Sequence, residues 1–145
     1  SGTAAPPPRA PTAGQAEEMM KMGEVFFKKR DYRQAEDHFA RAYAKDKKAV
    51  ALAAQAWAIY MDPNRKPEAQ HAKDLMASAL KLDPQCDRAH YQLGVIARVE
   101  GDIQRAEKHF KLAVQFNPRH LEATQELRLI DMRRKKAESK KGFFK

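Results

Sequence analysis

The sequence predicts an all-α fold, a right-handed helical-repeat solenoid of about seven helices, and three observations point to it. Ala35 to Ala42 reads Ala-Glu-Asp-His-Phe-Ala-Arg-Ala, and the pattern returns from Ala106 to Ala113 as Ala-Glu-Lys-His-Phe-Lys-Leu-Ala. Gly23 and Gly94 are separated by the same interval as Ala35 and Ala106. Apolar residues recur at helical spacing through most of the chain, and no segment alternates as a half-buried strand does. A fixed internal period identifies stacked supersecondary units, each burying its apolar face only against its neighbours.

That interval divides into one shorter and one longer unit, which places repeat one at 16–49, repeat two at 50–86 and repeat three at 87–120. Ser1 to Gly14 is rich in Pro and Ala and is expected to be irregular, a flexible linker or a cloning remnant. The lack of an initiator Met suggests a piece of something longer. Within repeat three, Gly101-Asp102 suits a helix end followed by an N-cap, because Gly takes the left-handed backbone and Asp accepts from the next helix's free N–H groups. Arg30-Asp31 fills the same place less well in repeat one. Asp83-Pro84 and Asn117-Pro118 mark turns that stop the preceding helices.

Repeat two departs from its neighbours. Trp57 falls where they carry Gly, and three extra residues lie near Asn64-Arg65-Lys66-Pro67, in a loop that Pro63 and Pro67 both hold out of helix. One expectation is that the Trp57 ring pushes the second helix of this unit outward. The other is that the register shifts locally and Trp57 takes an apolar packing position. After His120, Leu121, Thr124, Leu127 and Ile130 continue an apolar stripe, predicting a capping helix over 121–137 and a basic tail over 138–145.

In order, repeat three carries Leu93, Gly94, Ala106, Phe110, Ala113 and Pro118 at its positions 7, 8, 20, 24, 27 and 32, and repeat one supplies Met22, Gly23, Phe26, Ala35, Phe39 and Ala42 in the same scheme. This resembles the tetratricopeptide repeat, whose signature places Leu, Gly, Ala, Phe and Pro in that order within each unit. The resemblance implies a non-catalytic protein-interaction scaffold in which the first helix of each repeat lines a concave groove holding a peptide or helix of a partner. Groove positions are then Glu17, Met20, Glu24 and Phe27 in repeat one, and Arg88, Tyr91, Val95 and Arg98 in repeat three. In repeat two they are Ala51, Ala54, Ala58 and Met61 if the register holds, and Leu129 and Met132 extend the row. The same residues also suit ordinary inter-repeat packing. Arg88 and Arg98 are candidates to fix an acidic group.

Within the family, cochaperone domains grip a terminal carboxylate with Lys, Asn and Arg side chains. The matching residues here are Met20, Glu24, Gln55, Arg88 and Gln92, of which only Arg88 keeps the charge, so that mode is not expected. Three-repeat chaperones of bacterial secretion systems have a similar size. General resemblance suggests a chaperone-associated or regulatory module of a larger bacterial protein.

Composition narrows the rest. The net charge of +9 is concentrated at the end: Arg133 to Lys145 holds seven Lys or Arg against one Glu, while Ser1 to Met132 holds 21 basic and 18 acidic side chains. Arg133, Arg134, Lys135, Lys136, Lys140 and Lys141, followed by Phe143 and Phe144, suit either a solvated helix end or a targeting adaptor that meets an anionic membrane surface or polyanion. Nucleic acid is disfavoured, since no recognition motif accompanies the charge. Cys86 is the only cysteine, which favours a reducing compartment, the cytoplasm. No His, Cys or carboxylate group has metal-ligand spacing, and His38 and His109 are the same slot of two repeats, so no metal, cofactor or catalytic residue is expected. Oligomeric state is not readable from one chain.

Overall fold

The computed structural model of the chain describes residues 2–4 and 13–143. Among them are seven α-helices and one 3-10 segment: α1 Ala13–Lys28, α2 Tyr32–Lys45, α3 Ala49–Met61, the 3-10 turn Pro63–Glu68, α4 Ala69–Leu82, α5 Asp87–Val99, α6 Ile103–Phe116 and α7 Leu121–Phe143. Successive helices pair as α1/α2, α3/α4 and α5/α6, with α7 packed on α6. No strand occurs among the described residues.

Tight pairing explains the two glycines. A Cβ built on Gly23 would lie 2.3 Å from Phe39 Cε1, and one on Gly94 2.6 Å from Phe110 Cε1. Only a residue without a side chain lets the Phe ring of the second helix lie flat on the first. Phe39 and Phe110 are therefore in equivalent places, 2 % and 0 % exposed. Around Phe110, Ala97, Ala106, Ala113, Ala123 and Ile130 form a buried cluster with Val95 and Leu127 beside it. Leu93 is only half-buried and faces the preceding unit instead.

The turns follow the capping residues. Gly101 has φ +86°, and Asp102 Oδ1 accepts from Arg105 N at 3.0 Å. Arg30 is forced to the same left-handed region, φ 61°, and Asp31 Oδ1 accepts from Gln34 N at 3.3 Å. That backbone costs an L-residue about 1 kcal/mol, so repeat one tolerates the strain that repeat three avoids.

Repeat two corrects two expectations. Trp57 does not push α4 away: Ala56 is the residue buried with Ala72, Met76 and Ile96, and Trp57 packs half-buried at the edge of that cluster. The register of α3 is shifted by one residue, so Ala56 takes the glycine position and the unit begins at Ala49. Nor is the insertion an open loop. Asp62 caps the 3-10 turn by accepting from Asn64 N at 2.9 Å, and Arg65, 8 % exposed, reaches back to Glu36 on α2 while its Nε and Nη2 donate to Glu68 at 2.7 and 2.9 Å. Two carboxylates hold the Arg65 guanidinium firmly protonated. The insertion thus ties repeat two to repeat one.

At the ends, α1 begins at Ala13, so Ala13 and Gly14 are helical rather than irregular, and residues 5–12 lie outside the described part. The capping helix does not stop at 137 but runs to Phe143, taking in most of the expected tail; Phe144 and Lys145 lie outside the described residues. Residues that match the buried face of α5, namely His90, Gly94 and Ala97, are replaced on α7 by Thr124, Arg128 and Asp131, the last two exposed. That face needs no further helix.

Candidate groove across the first helices

The first helices of all four units meet at one open cleft of about 540 Å³. Phe27 comes from α1, Val50 and Trp57 from α3, and Asp87, Arg88, Tyr91 and Gln92 from α5. Asn117, Arg119, His120 and Glu122 close the far side. One aromatic side chain from each repeat, Phe27, Trp57 and Tyr91, therefore lines the same cleft. Trp57 stacks on Tyr60 with ring centroids 5.4 Å apart and planes 15° apart, which fixes the indole on the groove side of α3. Tyr91 is held between Phe110 and His120, at 5.9 and 4.9 Å, and burial raises its phenol above the usual range.

The predicted row is only partly gathered here. Phe27, Arg88 and Tyr91 line the cleft. Met20, with Glu17, lines a separate smaller cleft of about 330 Å³ between α1, the end of α2 and the start of α3. Val95 is half-buried against the α6–α7 cluster. Leu129 and Met132 are exposed on α7 and line no part of the cleft. Ala54 and Ala58 are 2 % and 0 % exposed and pack with Ala35 and Phe39 of the preceding repeat, so neither faces a partner. Ala51, 2 % exposed, is likewise buried. Met61 lies at the edge beside Arg30, Asp31 and Asn64. The four errors on α3 share one cause, the one-residue register shift. Corrected for it, α3 presents Val50 and Trp57 to the cleft. The signal available in sequence was the volume of Ala56, a residue beside Trp57 small enough to face Met76.

Every charged side chain lining the cleft but Arg119 has a partner among the described residues, and so does Arg98 beside it. Arg88 Nη2 donates to Glu24 Oε1 across α3, and Arg98 Nε lies 2.9 Å from Glu126 Oε2. Asp87 accepts from Asn117 Nδ2 at 2.9 Å and stands 4.0 Å from His120. The two arginines expected to fix an acidic group are thus already engaged. Gln92, 1 % exposed, keeps its Oε1 without a hydrogen-bond partner.

Elsewhere the titratable groups fit packing. His90 Nε2 meets Pro84 O at 2.9 Å, and its Nδ1 faces His109 Nδ1 at 3.4 Å. Burial first, then the neighbouring His90 and the cations Arg105 and Lys108, depress His109 to about 4, so it is neutral at pH 7. Burial pushes the Cys86 thiol up although it caps α5, opposite to what a nucleophile needs. Among the described residues no three His, Cys, Asp or Glu side chains could hold a metal ion. No described helix is long and apolar enough to cross a membrane.

Along α7, residues 131–142 are all exposed. At 1.5 Å per residue its 23 residues span about 34 Å, against about 20 Å for α5. Arg134 pairs with Glu107, and Lys135 lies 3.0 Å from Asp131. Arg133, Lys136, Lys140 and Lys141 enter none of the ion pairs among the described residues.

The sequence profile of the tetratricopeptide repeat matches residues 68–120, from the end of the insertion through repeat three. No curated protein matches the chain. Among solved structures, the second tetratricopeptide domain of human RPAP3, in complex with the HSP70 peptide SGPTIEEVD, is 26 % identical, with 81 % of this chain and 96 % of that one covered at a TM-score of 0.59. The Arabidopsis OM64 tetratricopeptide domain is 16 % identical over 83 % and 97 %, at 0.64. The Yersinia enterocolitica type III secretion translocator chaperone SycD is 12 % identical over 85 % and 96 %, at 0.63. The profile match identifies residues 68–120 as tetratricopeptide repeat sequence, and the paired helices and the repeated Gly–Phe contact make the rest of the described chain similar to that fold.

Proposed function

We propose that this protein is a non-catalytic interaction scaffold, cytoplasmic, that holds a peptide or helix of a partner protein in the cleft of Phe27, Val50, Trp57, Arg88 and Tyr91. The observation that carries the reading is the convergence of aromatic side chains from three repeats on one open cleft. Aromatic side chains supply much of the affinity in interfaces because they bury large rigid area at low entropic cost. The RPAP3 domain, of the same fold, is solved with a peptide bound, which supports a peptide-sized occupant.

A second reading has its own observation. The exposed basic overhang of α7 suits an adaptor that docks on an anionic surface while the repeats stay structural. Partner capture by the intact chain, compared with Trp57→Ala, Val50→Glu and a deletion of Lys140 to Lys145, separates the two. Groove binding predicts that both substitutions weaken capture at least tenfold, that the deletion leaves it intact, and that salt has little effect. Silent groove variants, with a deletion that abolishes binding to phosphatidylserine vesicles at low salt, would replace it with the adaptor reading.

A further inference from the structure

We propose that the Glu24–Arg88 ion pair sets the specificity of the groove: it turns away acidic chain ends and reserves the cleft for an apolar partner segment with no carboxylate facing Arg88. The proposal rests on the groove reading above. Glu24 and Arg88 belong to repeats one and three, and their bond crosses the groove over α3. Arg88 is the cation on the cleft wall that an incoming carboxylate would seek. Its charge is already matched, so a ligand carboxylate must either displace Glu24 or lie beside it, and like charges at that separation repel strongly away from bulk water.

The surroundings offer such a ligand one further cation, Arg119, and otherwise nothing. Arg98 is engaged by Glu126, and Asp87 and Glu122 add negative charge to the cleft wall. Arg119 stands at the rim, exposed. Gln92, among the residues lining the cleft, is buried and adds no charge. What remains is area: Phe27, Trp57 and Tyr91 line the cleft with aromatic surface suited to aliphatic or aromatic side chains. The partner chemistry that fits is an internal, uncharged apolar segment rather than an acidic C-terminus. Glu24 and Arg88 are 39 % and 33 % exposed, so removing either should leave the fold intact.

Trp57 is the only tryptophan of the chain and lies in the cleft, so its fluorescence reports occupancy directly. Two probes suffice: the acidic peptide SGPTIEEVD with a free C-terminus, and its neutral counterpart SGPTIQQVN-amide. Wild-type protein is expected to bind the acidic probe at least tenfold more weakly than the neutral one. Glu24→Gln should tighten the acidic probe at least tenfold, the gain should shrink with added salt, and a further Arg88→Ala should abolish it. Circular dichroism melts of the variants should match wild type. An acidic probe that binds wild type as well as the neutral one, or Glu24→Gln without any gain, overturns the proposal. The groove reading fails by a different result, undiminished partner capture by Trp57→Ala and Val50→Glu.

Discussion

Repeats one and three solve the contact between their paired helices in one way, and repeat two solves it in another. In the outer repeats a glycine faces a phenylalanine, Gly23 with Phe39 and Gly94 with Phe110. In the middle one Ala56 faces the thinner, flexible Met76. A volume balance is kept across the array while the residues that meet it change. The exchange has a functional side. Because Ala56 fits against Met76, α3 turns by one residue and the next side chain, Trp57, becomes a wall of the groove. Met fills irregular gaps with little strain, whereas a Phe ring demands a bare backbone opposite.

The largest test of this comparison is Phe110→Ala, which removes a fully buried ring and leaves a cavity beneath Gly94. It should cost about 3 to 5 kcal/mol in chemical denaturation, and an unchanged denaturation midpoint would contradict the packing described. Next in size, Gly23→Ala should cost roughly 1 to 3 kcal/mol by overpacking against Phe39. In a Phe39→Met background, which copies repeat two, the same substitution should cost much less. The double-mutant coupling should therefore reach about 1 kcal/mol; additive effects would mean that the Ala–Met pairing is not a substitute for Gly–Phe. The smallest effect concerns the turns. Arg30→Gly gives repeat one the left-handed residue that repeat three already has, and it should stabilise the chain by about 0.5 to 1 kcal/mol. Gly101→Arg should do the reverse.

Much of this architecture was legible because glycines, caps and turn prolines leave local marks. The equivalence of Phe39 and Phe110 followed from the repeat, and Gly101-Asp102 from turn chemistry alone. What was not legible was the rotation of α3. Its 13 residues contain no charge, and eight are buried, since this helix packs against neighbours on both sides. An amphipathic helix announces its buried face; one buried nearly all round gives no phase, and a one-residue slip sent Ala54 and Ala58 to the groove and hid Trp57. The ion pairs were illegible for another reason. Glu24 and Arg88 were both placed on the groove, but their meeting depends on the curvature of three stacked repeats, which no local pattern encodes. The extension of α7 to Phe143 went unseen because its apolar stripe ends at Ile130. Beyond it, Arg, Lys, Ala and Glu are simply good helix formers and need no core to stay helical.

The polar outer face of α7 has a consequence for growth. Stacked units are open-ended in principle, since any apolar end invites another copy. With Thr124, Arg128 and Asp131 where α5 places His90, Gly94 and Ala97, the last helix offers an incoming one charge instead of a socket. Lengthening the array by duplication would bury the charges of Arg128 and Asp131, so a fourth full repeat could be added only after α7 itself had been rewritten.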